Sequence, residues 1–351
     1  MEINSNTKCI DGLRAYAITL IVLSHVGILN QGGVGNCIFF CISGFLAVSP
    51  FSVREGYLFK NKDDVISYWV KKIIRIWPIY ALVVVSVKYL TGRIFFGDKI
   101  AVIKQLLFIE SSGILWYIQQ LMIIYMLFPI ISIFVERIAK QCKCIDFSLM
   151  CAIISAGLVV IAYFYVFPNI KIRTLSAVPN GFRLFQFLIG MTAAYLYKLL
   201  SKLDRGKGKK WASVFSVLIL CLGVLTSDSF LPYISLKYIG YYIGWQRPFE
   251  VTVVVAILIL LLLLYPENVA SVFLKRKAIT FIGTISFDIY LIHYYLIRYA
   301  QLETAFKTFI FVYFASICIG YVIHKLVEKP LIVLSKTNSF LSLKNYYKEL
   351  F

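Results

Sequence analysis

Apolar runs close to twenty residues long recur from one end of this 351-residue chain to the other. A helix rises 1.5 Å per residue, so about 20 residues cross the ~30 Å apolar layer of a bilayer. Within that layer each backbone N–H and C=O must find its partner inside the protein, which a helix achieves within its own segment. Composition points the same way: 60% of the residues are hydrophobic and the mean hydropathy is +0.81, whereas a soluble globule has about half its residues apolar. The predicted fold is therefore all-α, a polytopic transmembrane helix bundle. About ten spans are expected, over roughly 11–30, 34–52, 73–92, 114–135, 147–167, 182–201, 211–227, 247–265, 279–299 and 306–326. Residues 100–109 are too short to cross, and 231–245 are rich in tyrosine and tryptophan; both read as interfacial segments. No low-complexity linker and no internal repeat breaks the pattern. Residues 1–335 read as one integral-membrane domain and 336–351 as a C-terminal tail.

Charge sets the expected orientation. The net charge is +19, and the lysines and arginines lie mostly between the apolar runs. Ten spans place both termini on one side. Of the cations outside the spans, 23 then fall on the side of the termini and ten on the other, an asymmetry that puts both termini in the cytoplasm. Cations in this arrangement serve topology and anionic lipid, so no nucleic-acid partner is expected. The N-terminus, MEINSNTKCIDG, is polar and has no A-x-A-type cleavage site, so no removable leader is expected. The eight cysteines sit mostly in or beside apolar runs, and Cys142-Lys-Cys144 lacks zinc-site spacing. Neither a disulfide framework nor a metal is expected.

Ionisable groups inside spans carry the functional signal, because such groups are costly in lipid and face a protein interior or a wet cavity. Arg14 and His25 stand eleven apart in DGLRAYAITLIVLSHVGILN. Eleven steps of 100° return to within about 20° of the starting direction and climb roughly 16 Å. Both side chains share one face, the arginine near the cytoplasmic surface and the histidine deeper in. A histidine titrates near neutrality and suits a general base. The third span opens with KKIIRIWPIY, where Lys72 and Arg75 are three apart on one face and Pro78 is expected to kink the helix. Arg14, Lys72 and Arg75 together suit a pyrophosphate and a further phosphate arriving from the cytosol. In FFCISGFL, Gly44 beside Ser43 permits close helix approach. Gln119 and Gln120 in WYIQQLMIIYMLFP need partners, as helix glue or as sugar contacts. In FIGTISFDIYLIHYYLI, Tyr290 and His293 share a face and Asp288 is turned away. His324 and Glu328 in HKLVEKPL read as an ordinary i,i+4 pair.

In order and spacing these segments resemble the membrane-bound acyltransferase 3 family, which modifies bacterial surface polysaccharides. IDGLRAYAITLIVLSHVG resembles its opening signature, with Arg14 and His25 in place. FFCISGFL resembles its second-span signature and KKIIRIWPIY its R-x-x-R motif, with Lys72 where the first arginine is usual. LWYIQQLMIIYMLFP, FRLFQFLIGM, FIGTISFDIYLIHYYL and HKLVEKPL resemble later segments in the same order, to about residue 335. The resemblance implies about ten helices, a bacterial inner-membrane location, and transfer of an acyl group, usually acetyl from acetyl-CoA, to a glycan hydroxyl. Such glycans include O-antigen, capsule and their lipid-linked precursors. No fused esterase-like domain is expected, so the chain resembles the stand-alone members.

On this reading His25 is the catalytic residue. Arg14, Lys72 and Arg75 bind the acyl-CoA phosphates. Trp116, Gln120, Tyr290 and His293 are the candidates for contacting the acceptor. A secondary transporter or exporter of a glycan precursor is the alternative, since buried ionisable groups also serve transport, although no inverted repeat is visible.

Overall fold

The computed structural model describes residues 7–48, 58–91, 99–142, 144–169, 181–203, 208–227, 247–300 and 302–337. The expected interfacial segment 231–245 and the tail beyond 337 lie outside them. Among the described residues all regular elements are helical. They are α1 Lys8–His25, α2 Gly32–Ala47, α3 Lys62–Thr91, α4 Lys99–Leu106, α5 Trp116–Gln141, α6 Phe147–Ile161, α7 Leu184–Leu200, α8 Lys209–Leu225, α9 Pro248–Leu264, α10 Val269–Leu274, α11 Lys277–Thr284, α12 Ser286–Tyr299, α13 Ala305–Ile323 and α14 Lys329–Thr337. A helix thus stands at each of the ten expected spans. Among the described residues four continuous helical stretches are long and apolar enough to cross a membrane by themselves, namely Lys62–Leu90, Gly113–Gln141, Phe147–Asn169 and Ala305–Val333; a fifth appears if α11 and α12 count as one bent span.

The differences from the sequence reading have local causes. The first helix stops at His25 instead of continuing to residue 30, because Gly27 takes a φ of +80° and the chain turns there. The third helix begins at Lys62, eleven residues before the expected span, and runs unbroken through Pro78. The ninth span is broken between α11 and α12, which meet at 71°. Just before the break Gly283 lies against the Asp11 carbonyl of α1, where a Cβ would collide.

Two π turns, Ala162–Val166 and His324–Glu328, join α6 to a last turn Phe167–Asn169 and α13 to α14. Each ends two residues before a proline, Pro168 or Pro330. Proline has no N–H for the regular i to i−4 bond, and the preceding turn widens to accommodate it.

The core places α1 at the centre. It packs on α2, α11 and α12, while α2 packs on α7 and α9. The α2–α7 seam rests on a reciprocal glycine pair. A Cβ on Gly44 would collide with the Phe187 carbonyl, and a Cβ on Gly190 with the Cys41 carbonyl. The close approach anticipated from FFCISGFL is thus made by two backbones in direct contact.

Candidate active site

His25 ends α1 with its Nδ1 2.8 Å from Nε2 of His293 on α12; the two rings are stacked with centroids 5.0 Å apart. His293 is fully buried, and its Nδ1 lies 2.8 Å from the Tyr290 carbonyl and 3.1 Å from the Ile289 carbonyl. These contacts fix where the protons are. A backbone carbonyl only accepts, so Nδ1 of His293 carries a proton. In the neutral ring Nε2 of His293 then has the lone pair and accepts from Nδ1–H of His25. By the same logic Nε2 of His25 keeps its lone pair. The chain carbonyl–His293–His25 therefore delivers one free, oriented basic nitrogen. His25 itself is exposed at the end of α1, so its ring is open to an incoming group on the side away from His293.

The cations converge from α1 and α3. Arg14, Arg75 and Tyr125 all lie near enough to Lys72 to act on it electrostatically. The Lys72 ammonium sits 4.1 Å from the centre of the Tyr125 ring and 5.4 Å from that of Tyr68, a cation–π seat that holds a charge in a low-dielectric interior. Each arginine also has a carboxylate. Arg14 Nη1 is 2.9 Å from Asp11 Oδ1, and Arg75 Nε is 3.4 Å from Glu328 Oε1. The Arg14 side chain is 24% exposed and that of Arg75 52%, so both keep donors available to an arriving anion. Three cations with partial neutralisation suit a polyphosphate better than a lone carboxylate.

Tyrosines connect the cationic end to the histidines. Ser43 on α2 lies beside the hydroxyls of both Tyr117 and Tyr125 of α5, and Arg14 acts electrostatically on both phenols. Tyr117 packs on Tyr290 at 5.2 Å between ring centres, and Tyr290 lies 5.8 Å from the ring of His293. A file of polar-tipped rings thus runs from Arg14 and Lys72 to His25. The Tyr290 hydroxyl donates to the Ile114 carbonyl (2.5 Å), which ties α12 to the start of α5 and positions the carbonyl that orients His293. Trp116 and Gln120 lie on the other side of α5. The Gln120 side chain accepts from the Arg183 N–H (3.0 Å) and donates to the Gly181 carbonyl (3.4 Å), and the Trp116 ring centre is 5.9 Å from the Arg183 guanidinium carbon. Asp288 points away from His293, as its spacing predicts, and meets His324 and Glu328.

A family model described as an acyltransferase domain matches residues 7–329. The chain belongs to this acyltransferase family. O-acetyltransferase OatA of Staphylococcus aureus is 24% identical over 357 aligned positions, covering 92% of this chain and 56% of that protein. Putative peptidoglycan O-acetyltransferase YrhL of Bacillus subtilis is also 24% identical, covering 81% of this chain and 48% of that protein. The chain spans about half the length of the curated relatives it matches. No solved structure matches it.

In this acyltransferase-family chain the fold brings together Arg14, Lys72 and Arg75 as one group, and His25 with His293 as another. It carries Trp116 and Gln120 to the Gly181–Arg183 turn. Tyr117 and Tyr125 were not singled out in the sequence, and Ser43 was named there only beside Gly44 at a packing seam. Their one available signal was polar hydroxyls well inside apolar runs, where a buried tyrosine or serine normally has a partner.

Proposed function

We propose that this chain is an O-acyltransferase of the bacterial cytoplasmic membrane. It would move an acyl group, acetyl in the simplest case, from acyl-CoA to a hydroxyl of a cell-surface glycan or its lipid-linked precursor. The names of the relatives suggest peptidoglycan as the acceptor class, rather than O-antigen or capsule. The observation that carries the reading is the single lone pair left on His25 Nε2 by the hydrogen-bond chain through His293.

Arg14, Lys72 and Arg75 hold the donor's phosphates at the inner end of the bundle. The Tyr125–Tyr117–Tyr290 file gives a polar-tipped wall along which the thioester end reaches His25. His25 Nε2 removes the proton from the acceptor hydroxyl as its oxygen bonds to the thioester carbonyl carbon. The carbon–sulfur bond breaks, and the imidazolium returns that proton to the departing thiolate. His293 accepts from His25 Nδ1–H throughout, which stabilises the transient positive ring and prevents the wrong tautomer. Ten crossings with both termini in the cytoplasm would bring a cytosolic donor to an acceptor at the far side.

The test is release of free CoA by the purified protein with acetyl-CoA and a glycan acceptor. His25→Ala is expected to reduce it to background while expression and membrane insertion stay normal. Normal CoA release by that variant would remove His25 from the chemistry.

A further inference from the structure

Asp288 stands in the first turn of α12, fully buried, and among the described residues neither of its carboxylate oxygens has a hydrogen-bond partner. A buried carboxylate is normally paired or bound to a cation. Gly320 of α13 leaves room for it: a Cβ built there would stand 3.3 Å from the Asp288 Cβ. The carboxylate reaches the π turn that follows α13. One oxygen of Asp288, a ring nitrogen of His324 and an oxygen of Glu328 all lie within 4.8 Å of one another. Glu328 is also buried, with Oε2 2.6 Å from His324 Nδ1 and Oε1 3.4 Å from Arg75 Nε.

Arg75, whose side chain is half in solvent, and His324 both meet Glu328, and neither forms a hydrogen bond with Asp288. We propose that Asp288, Glu328 and His324 form a binding site for a divalent transition-metal cation of the manganese or zinc class. Two carboxylates with an imidazole are a mixed oxygen and nitrogen donor set, which suits these ions better than the all-oxygen preference of magnesium or calcium. Donor atoms about 2.1 Å from an ion stand roughly 3.4 Å apart. Separations of up to 4.8 Å have to close towards that value, while His324 Nδ1 and Glu328 Oε2, 2.6 Å apart, have to open as the proton between them leaves the metal-binding nitrogen. The turn that presents His324 and Glu328 is the widened π segment, a feature that recurs at functional sites.

The site adjoins the proposed donor-binding group through Arg75. A cation against Glu328 would take over the neutralisation that Arg75 now supplies and leave the guanidinium for phosphate. That consequence rests on the acyltransferase reading; the metal site does not, so its test contains no donor.

The experiment titrates Mn²⁺ into the purified full chain in lipid nanodiscs and follows it by electron paramagnetic resonance. One saturable ion per chain is expected, displaced by Zn²⁺. Asp288→Asn and His324→Gln should each weaken binding by about tenfold or more, while Glu303→Gln on the surface should leave it unchanged. If Asp288→Asn fails to insert, His324→Gln and the wild-type rise in melting temperature with Zn²⁺, reversed by chelator, decide the matter. Absence of saturable Mn²⁺ binding overturns the proposal. So does binding that survives both substitutions, or a metal-free Asp288 held protonated, seen as a carboxylic-acid stretch in the infrared that Asp288→Asn removes.

Discussion

A histidine works as a base only if one nitrogen keeps its lone pair and faces the reacting proton. In the proposed reaction His25 would meet this condition through a neighbour 268 positions away, whose own proton is held by the Tyr290 carbonyl. His293 would then act as a positioning residue. His293→Ala leaves His25 free to rotate and to take either tautomer, and turnover is expected to fall by about 10²- to 10⁴-fold. The KM for acetyl-CoA should change little, since the cation group lies elsewhere. Gln in place of His293 restores an acceptor for His25 Nδ1–H and should recover part of the loss. Steady-state CoA release with the two variants checks both points; a purely structural role for His293 would give no such split between KM and kcat.

At the scale of elements, two devices hold the site's scaffold. The first is the α2–α7 seam, where backbones touch at Gly44 and Gly190. α2 carries Ser43, so any separation of the seam moves the Tyr117–Tyr125 hydroxyls with it. Gly44→Ala forces its new methyl into the Phe187 carbonyl, a rigid backbone atom, and should destabilise the protein by about 1–3 kcal/mol. The readout is the melting temperature in detergent.

The second device is the N-terminus of α6. Asp146 accepts from the backbone N–H of Ser148 (2.8 Å) and Leu149 (3.2 Å), with Lys202 Nζ 3.4 Å away. Partial burial raises its pKa, but the two amides and the lysine outweigh it and hold the carboxyl below the ordinary range. The folded pKa is thus lowered, so this capping contribution is present above the unfolded carboxylate pKa and is lost as pH falls through the folded value. Asp146→Ala should cost about 1 kcal/mol at neutral pH. The gap between variant and wild type should close on acidification, as thermal melts at a series of pH values would show.

For the whole molecule, orientation is the open quantity. On the ten-span reading, the asymmetry of lysine and arginine would place both termini and the α5–α6 connection on the cytoplasmic side. Cys144 in that connection is exposed. A membrane-impermeant maleimide should label it only after cells are permeabilised, and labelling in intact cells would invert the topology. The overall bundle was legible in advance because apolar run length and charge asymmetry are local quantities. Each expected span contains a helix, and residues 7–329 match one family. The broken ninth span was less legible, since hydropathy averaged along a run does not register a change of helix direction.

The sequence by itself determined that the chain is helical and apolar, that Arg14 and His25 share a face of one helix, and that Lys72 and Arg75 share another. Each follows from run length or from 100° per residue, which needs no knowledge of other helices. Only the tertiary structure decided which nitrogen of His25 is free, that Glu328 is bonded to Arg75 as well as to His324, and that Asp288 joins them. Those facts depend on hydrogen bonds and charges between helices hundreds of residues apart in sequence or on opposite sides of a break. Spacing along one helix does not encode which neighbour the packing will bring against it.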